Sequence, residues 1–193
     1  QGPVRLHNGE LLLPGQFFDE RPNPFVAPVE QLVHAKTEEE AQAMPPGPGT
    51  PAVEYATHLN GCCVFIDRVG DARNFEEYGY VANRPLGLLE PTCIQLKDGR
   101  IVMLMRAEWG GFLWRADSSD NGRTWTKPAV FDDLGVWPQM LTLNNGVTLA
   151  VYGRPGLYVR ATADPAGRRW DDRVTVVEPG AVHTDTCSYA ALL

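Results

Sequence analysis

Nowhere in the 193 residues does an apolar run approach the ~18 residues that a helix needs to cross a bilayer, so no membrane span is expected. Basic residues are scarce as well. Seventeen Lys and Arg stand against 24 Asp and Glu, and no stretch gathers them. Phosphate binding needs a concentrated positive surface, so a nucleic-acid partner is not expected either. Cysteine is limited to Cys62, Cys63, Cys93 and Cys187. The first two are neighbours and poorly placed to staple anything, and no CxxC or Cys/His spacing suggests zinc. The four read as free thiols, mostly buried, which suits a reducing compartment. No metal or organic cofactor is implied. Gln1 begins inside what reads as a strand, without the charged leader and apolar stretch of an export signal. An upstream leader stays open.

Turn formers, in contrast, are plentiful: 19 Gly and 16 Pro point to many short strands. A repeat organises them. Leu6-His7-Asn8-Gly9-Glu10-Leu11 is matched by Leu96-Lys97-Asp98-Gly99-Arg100-Ile101 and by Leu143-Asn144-Asn145-Gly146-Val147-Thr148. Each is an apolar stretch, an Asx-Gly pair and a second apolar stretch, a strong hairpin signal in which Asn and Gly accept a positive φ. From Gly99 to Gly146 is 47 residues (146 − 99), the length of one four-stranded propeller blade. From Gly9 to Gly99 is 90 (99 − 9), so an insertion of about 40 residues is expected there. Residues 19–58 supply it: Pro-rich ends enclose a stretch, 29–44, that reads as a short amphipathic helix or a flexible arm. Its run Glu38-Glu39-Glu40 reads as a solvated face.

A second repeat follows the third strand of each unit. Ser118-Ser119-Asp120-Asn121-Gly122-Arg123-Thr124-Trp125 fits S-x-D-x-G-x-T-W at every defined position. Thr162 to Trp170 is a looser copy with one extra residue, and Asp67, Gly70 and Phe75 are a degenerate trace. The logic of such a box is local and structural. The Asp accepts turn N–H groups, the Gly supplies a backbone angle that other residues resist, and the Trp anchors the turn between sheets.

The resulting fold class is all-β. Strands are expected at 3–6, 10–14, 62–66 and 77–81; at 91–96, 101–106, 111–116 and 129–131; and at 140–143, 148–153, 157–161 and 174–177. A further strand is expected to begin at 187–193. Blades thus fall at about 1–82, 83–133 and 134–180, with the start of the next at 181–193.

Three segments carry a family resemblance. Glu90-Pro91-Thr92-Cys93-Ile94-Gln95-Leu96 begins a blade, and Arg106 closes its second strand 16 residues on (106 − 90). After the clean box comes Tyr152-Gly153-Arg154-Pro155-Gly156, and Cys187-Ser188-Tyr189-Ala190-Ala191-Leu192-Leu193 opens the next blade. Over most of residues 59–193 the chain resembles the middle and later blades of the sialidases (exo-α-neuraminidases). That resemblance implies a fragment, about three blades plus the start of a fourth, of a six-bladed sialidase-type β-propeller. It also implies an exo-glycosidase acting on sialic acid or a related acidic sugar, with a catalytic Tyr189 and Glu90 and with Arg106 and Arg154 binding the substrate carboxylate.

The chemistry accounts for those residue types. The sugar's carboxylate repels an anionic nucleophile, and a neutral Tyr whose proton passes to a Glu avoids much of that repulsion. A guanidinium fork matches a carboxylate through two parallel hydrogen bonds. Trp109 and Trp137 read as strand-end loop residues able to floor a sugar site, and His183 and Asp185 lie close before Tyr189. Arg115, Arg160 and Arg169 read as surface charges. The acid/base Asp and the first arginine of the family site belong to an earlier blade with no match in residues 1–18, so this chain alone is expected to hold half a site and to be inactive. Two other classes stay open: a non-catalytic Asp-box propeller that binds glycan or protein, and another glycosidase on the same scaffold.

Overall fold

The computed structural model describes residues 2–19, 29–32, 34–45, 59–83, 87–108, 111–180, 190 and 192. Among these residues, twelve strands form three antiparallel four-stranded sheets, each in chain order. The first holds β1 (Val4–Arg5), β2 (Leu11–Asp19), β3 (Leu59–Asp67) and β4 (Glu76–Val81). The second holds β5 (Leu88–Gln95), β6 (Ile101–Ala107), β7 (Leu113–Ser118) and β8 (Ala129–Asp132). The third holds β9 (Val136–Thr142), β10 (Thr148–Gly153), β11 (Leu157–Thr162) and β12 (Val174–Val177). The first strands mark the inner edge: β5 touches β1, β2 and β3 of the sheet before it, and β9 touches β5 and β6.

The second sheet is buried on both faces, and β6 shows why its sequence is a continuous apolar run. Ile101, Met103, Met105 and Ala107 face the first sheet, in one cluster with Leu12, Cys62, Val64 and Ile66. Val102 and Leu104 face the third, with Met140, Ala150 and Tyr152. Each such side chain contributes roughly 1.5–3 kcal/mol when fully buried, more than any single turn hydrogen bond supplies. Burial therefore sets how the sheets stack, and the turns set their register.

The three Asx-Gly turns are closely alike. Leu6, Leu96 and Leu143 N–H donate to Glu10, Arg100 and Val147 O, each at 2.8 Å. Asn8, Asp98 and Asn145 side chains accept the N–H two residues on, at 3.1, 3.0 and 3.1 Å. Only the glycines are left-handed, with φ of 90°, 92° and 86°. The Asx residue thus serves through its side chain, and the connection has three residues, with the αL position filled by Gly.

The boxes behave as the pattern predicts. Asp120 accepts from Thr124 N–H at 2.9 Å and Thr124 Oγ1 at 2.6 Å, and Trp125 Nε1 donates to Gly122 O at 3.0 Å. In the looser copy Asp164 accepts from Ala166 and Arg168 N–H, and Trp170 Nε1 donates to Gly167 O at 3.0 Å despite the extra residue. The degenerate trace needs correction. Asp67 pairs with Leu11 as Ser118 pairs with Ile101 and Thr162 with Thr148, so it occupies the box Ser position. From there it accepts the N–H groups of Val69, Gly70 and Ala72 itself.

Boxes also join sheets. Arg123, inside the clean box, donates both Nη groups to the Glu10 carboxylate of the first sheet, each at 2.7 Å. Arg115 and Arg160, expected at the surface, are joints instead. Arg115 pairs with Asp117 at 2.7 Å and donates to Gly167 O of the third sheet at 2.6 Å. Arg160 donates to Phe131 O of the second sheet at 2.9 Å and lies over its ring. Each had a partner across a blade junction that sequence spacing does not reveal. Arg169 is exposed, as expected.

The insertion contributes two short helices, α1 (Val29–Leu32) and α2 (Glu38–Ala43), the second capped by Thr37, whose Oγ1 accepts Glu40 N–H at 3.1 Å. Leu32, Ala35 and Ala41 are buried in the junction of the first two sheets, so this stretch is packed structure. Glu39 and Glu40 are exposed. Cys62, Cys63 and Cys93 are free and buried. Burial, with Glu77 alongside, pushes the Cys63 thiol up to about 12, which removes its reactivity. Cys187 lies outside the described residues. Among those residues no helix is long and apolar enough to cross a membrane.

Two predictions test these joints. At Gly122, φ is 88° and a Cβ would lie 2.6 Å from the Leu12 side chain, whereas at Gly99, φ 92°, it would meet open space. Gly99→Ala should cost about 1 kcal/mol of backbone strain and Gly122→Ala roughly 2–4, strain plus overpacking, read by urea denaturation. The Arg123 hydrogen bonds hold the Glu10 carboxyl below the usual carboxylate range. Its folded value is depressed, so the stabilisation is complete above the unfolded value of about 4.3 and is lost as pH falls below it. Glu10→Gln should be about 1 kcal/mol less stable at pH 7, with the gap closing towards pH 3 in thermal melts.

Candidate active site

The Asx-Gly turns fix one end of every sheet, so residues at the far ends of β6 and β10 and the starts of β5 and β9 share the opposite rim. Glu90, Arg106, Trp137 and Arg154 all lie there.

Glu90 sits in β5 with φ 53°, between Leu89, paired with Arg106, and Thr92, paired with Leu104; the register shifts in that interval. A bulge at this point turns its side chain toward the third sheet. Oε1 accepts from Arg106 Nη1 at 3.0 Å, and Oε2 accepts the backbone N–H of Trp137 at 2.8 Å. The side chains are 14% and 18% exposed. Arg106 lies on the Val102–Leu104 face of β6, also directed at the third sheet, and its Nε donates to Ala107 O at 3.2 Å. Its Nη2 makes no hydrogen bond among the described residues.

Trp137 is not a loop residue, as sequence suggests, but the second residue of β9. It stands nine residues before Gly146 (146 − 137), as Glu90 stands nine before Gly99 (99 − 90), and its φ is 50°. The two left-handed residues are thus the same position of successive blades. The repeat spacing already contained that equivalence; the value of the Trp137 amide did not show in the sequence because a backbone donor has no residue signature.

Arg154 occupies the turn between β10 and β11 with φ 64°, after Gly153, which pairs with Val136 beside Trp137. Its side chain is exposed, and its N–H donates to Gly156 O at 3.1 Å. The structure therefore brings Glu90 and Arg106 into contact and sets Arg154 at the same rim. Tyr189, His183, Asp185 and Trp109 lie outside the described residues.

Sequence reasoning missed a second rim carboxylate. Glu108 accepts Asn60 N–H at 3.1 Å and Asn60 Nδ2 at 2.9 Å, from the first sheet. Gly87 makes room for it, since a Cβ there would lie 2.5 Å from Glu108 Oε2. Each junction at this rim is thus closed by an acid of the second sheet that accepts a neighbour's backbone amide. Among the described residues no group of three His, Cys, Asp or Glu is arranged to hold a metal ion.

The BNR repeat-like domain family matches residues 1–193. The chain belongs to this family. In this BNR repeat-like chain the three sheets are blades of a sialidase-type propeller. A protein of unknown function from Dyadobacter fermentans DSM 18053 superposes with a TM-score of 0.57 at 14% identity, over 92% of this chain and 64% of that one. The Hadza microbial sialidase Hz136 superposes with a TM-score of 0.52 at 12% identity, over 90% of this chain and 29% of that one. The chain thus spans less than two thirds of either structure, and at these identities the likeness is one of fold. No curated protein matches.

The Glu90–Arg106 contact gives a stability test. Arg106→Met removes a charged partner from a largely buried carboxylate and should cost about 2–4 kcal/mol, whereas Glu90→Gln keeps an acceptor for Trp137 N–H and should cost about 1. The double variant should be more stable than Arg106→Met alone in urea melts.

Proposed function

We propose that this chain forms part of the catalytic rim of an exo-glycosidase of sialidase type, acting on sialic acid or a related acidic sugar. The observation that carries the reading is the contact of Glu90 with Arg106 at the rim, at 3.0 Å and mostly shielded from water.

In this reading Arg106, through Nη2, and Arg154, from its turn, hold the sugar carboxylate. Tyr189 attacks the anomeric carbon and passes its phenol proton to Glu90 as the bond to the leaving oxygen breaks. A water then displaces the tyrosine from the covalent aryl glycoside with retained configuration, and the departing phenolate takes its proton back from Glu90. The acid that protonates the leaving group is not assigned within this chain. No cofactor takes part.

The test is turnover of a fluorogenic sialoside by the protein that carries these blades. Glu90→Gln should lower kcat by roughly 10²- to 10⁴-fold, and Tyr189→Phe should abolish turnover with the thermal melt unchanged. Undiminished turnover in Tyr189→Phe removes the mechanism.

A further inference from the structure

A partly buried polar network between the second and third blades has no part in the chemistry proposed above, yet it flanks the turn that carries Arg154. Tyr152, 1% exposed, lies two residues before Arg154, and Tyr158, 4% exposed, lies four after it. The Tyr152 hydroxyl donates to Asp132 Oδ2, at the end of β8 in the second sheet. Arg173, just ahead of β12, donates from Nη1 to Asp132 Oδ1 at 2.6 Å and to Asp133. Its guanidinium also lies 4.9 Å from the centre of the Tyr158 ring. Arg160 Nη1 stands 3.7 Å from Asp132 Oδ2, and the Asp132 side chain is only 8% exposed.

The network thus grips both strands that flank one turn and ties them to a neighbouring sheet. The turn itself is packed down: a Cβ on Gly156 would lie 2.6 Å from Val177 O and 3.1 Å from the Tyr158 hydroxyl. Arg154, between these anchors, is exposed. An arginine that must meet a carboxylate through two hydrogen bonds has to be presented within about 0.5 Å of its working position. A turn gripped from both flanking strands fixes the point from which that side chain reaches.

We infer that Tyr152, Asp132 and Arg173 are positioning residues for Arg154: they hold its turn in place for a carboxylate ligand, so that the outer strand of one blade sets an arginine of the next. The inference rests on the reading of Arg154 as a carboxylate ligand. Simple structural cement would look the same in a melt but different in binding.

The experiment titrates the full chain with N-acetylneuraminic acid and with its methyl ester, followed by NMR. Wild type should bind the acid more tightly than the ester. Tyr152→Phe, which keeps the ring, should weaken the acid roughly three- to tenfold, about one hydrogen bond's worth, and leave the ester unchanged. Asp132→Asn should give the same pattern. On an Arg154→Ala background Tyr152→Phe should cost nothing further, because the two losses are one loss. Full affinity in both Tyr152→Phe and Asp132→Asn, equal weakening of acid and ester, or a loss that survives in Arg154→Ala overturns the inference while the carboxylate reading stands. A wild type that does not separate acid from ester removes the carboxylate reading, and the inference with it.

Discussion

Everything in this molecule leans on one constraint: each sheet has an apolar face too large to leave wet, and only a neighbouring sheet can cover it. The second sheet meets that constraint on both sides, as the alternate packing of Met103 and Leu104 shows. Once the faces are fixed, the rims follow. The Asx-Gly turns and boxes gather at one end, and the ends of the inner strands gather at the other. Glu90 can reach Trp137 because the hydrophobic clusters have already set the distance between two sheets, not because either residue attracts the other strongly.

The junctions share a rule at both ends. At the turn end, a box residue of one blade reaches the preceding blade: Arg123 to Glu10 by side chain, and Pro165 O to Asp98 N–H by backbone. At the opposite rim, a carboxylate of the second sheet takes a neighbour's amide, Glu108 from Asn60 and Glu90 from Trp137. These polar contacts are each small beside the apolar area they border. What they supply is register, since a one-residue slip would leave several of them unmade. That division explains why the turn end tolerates a degenerate box around Asp67, whose side chain still satisfies the local amides.

Much of this was legible in the chain, for a physical reason. Short apolar runs, Asx-Gly pairs and the S-x-D-x-G-x-T-W pattern act through local geometry, and local geometry is written in local sequence. The expected strands at 101–106, 148–153 and 174–177 therefore lie within a residue of β6, β10 and β12. β2 and β3 run longer than expected, to Asp19 and from Leu59, through Pro14. β1 pairs only with Leu11 and Leu12, so at Pro14 the strand is already an edge, where proline is tolerated. Across the junctions legibility fails. Nothing in the sequence near Arg115, Arg160 or Glu108 names the partner, since each is contributed by a segment in another blade.

The candidate site divides along the same line. Glu90 and Arg106 were singled out by the family resemblance; they lie on adjacent strands of one hairpin, a local relation, and the structure gives them a hydrogen bond. Their third partner, the Trp137 amide, and the network around Arg154 come from other blades. A propeller rim is thus read in halves: residue types within a blade state which chemistry is offered, and the junctions state where it is held. A left-handed angle at the same position of two consecutive blades, at Glu90 and at Trp137, joins the halves. One blade uses the bulge to send an acid outward, and the next uses the same bulge to present the amide that receives it.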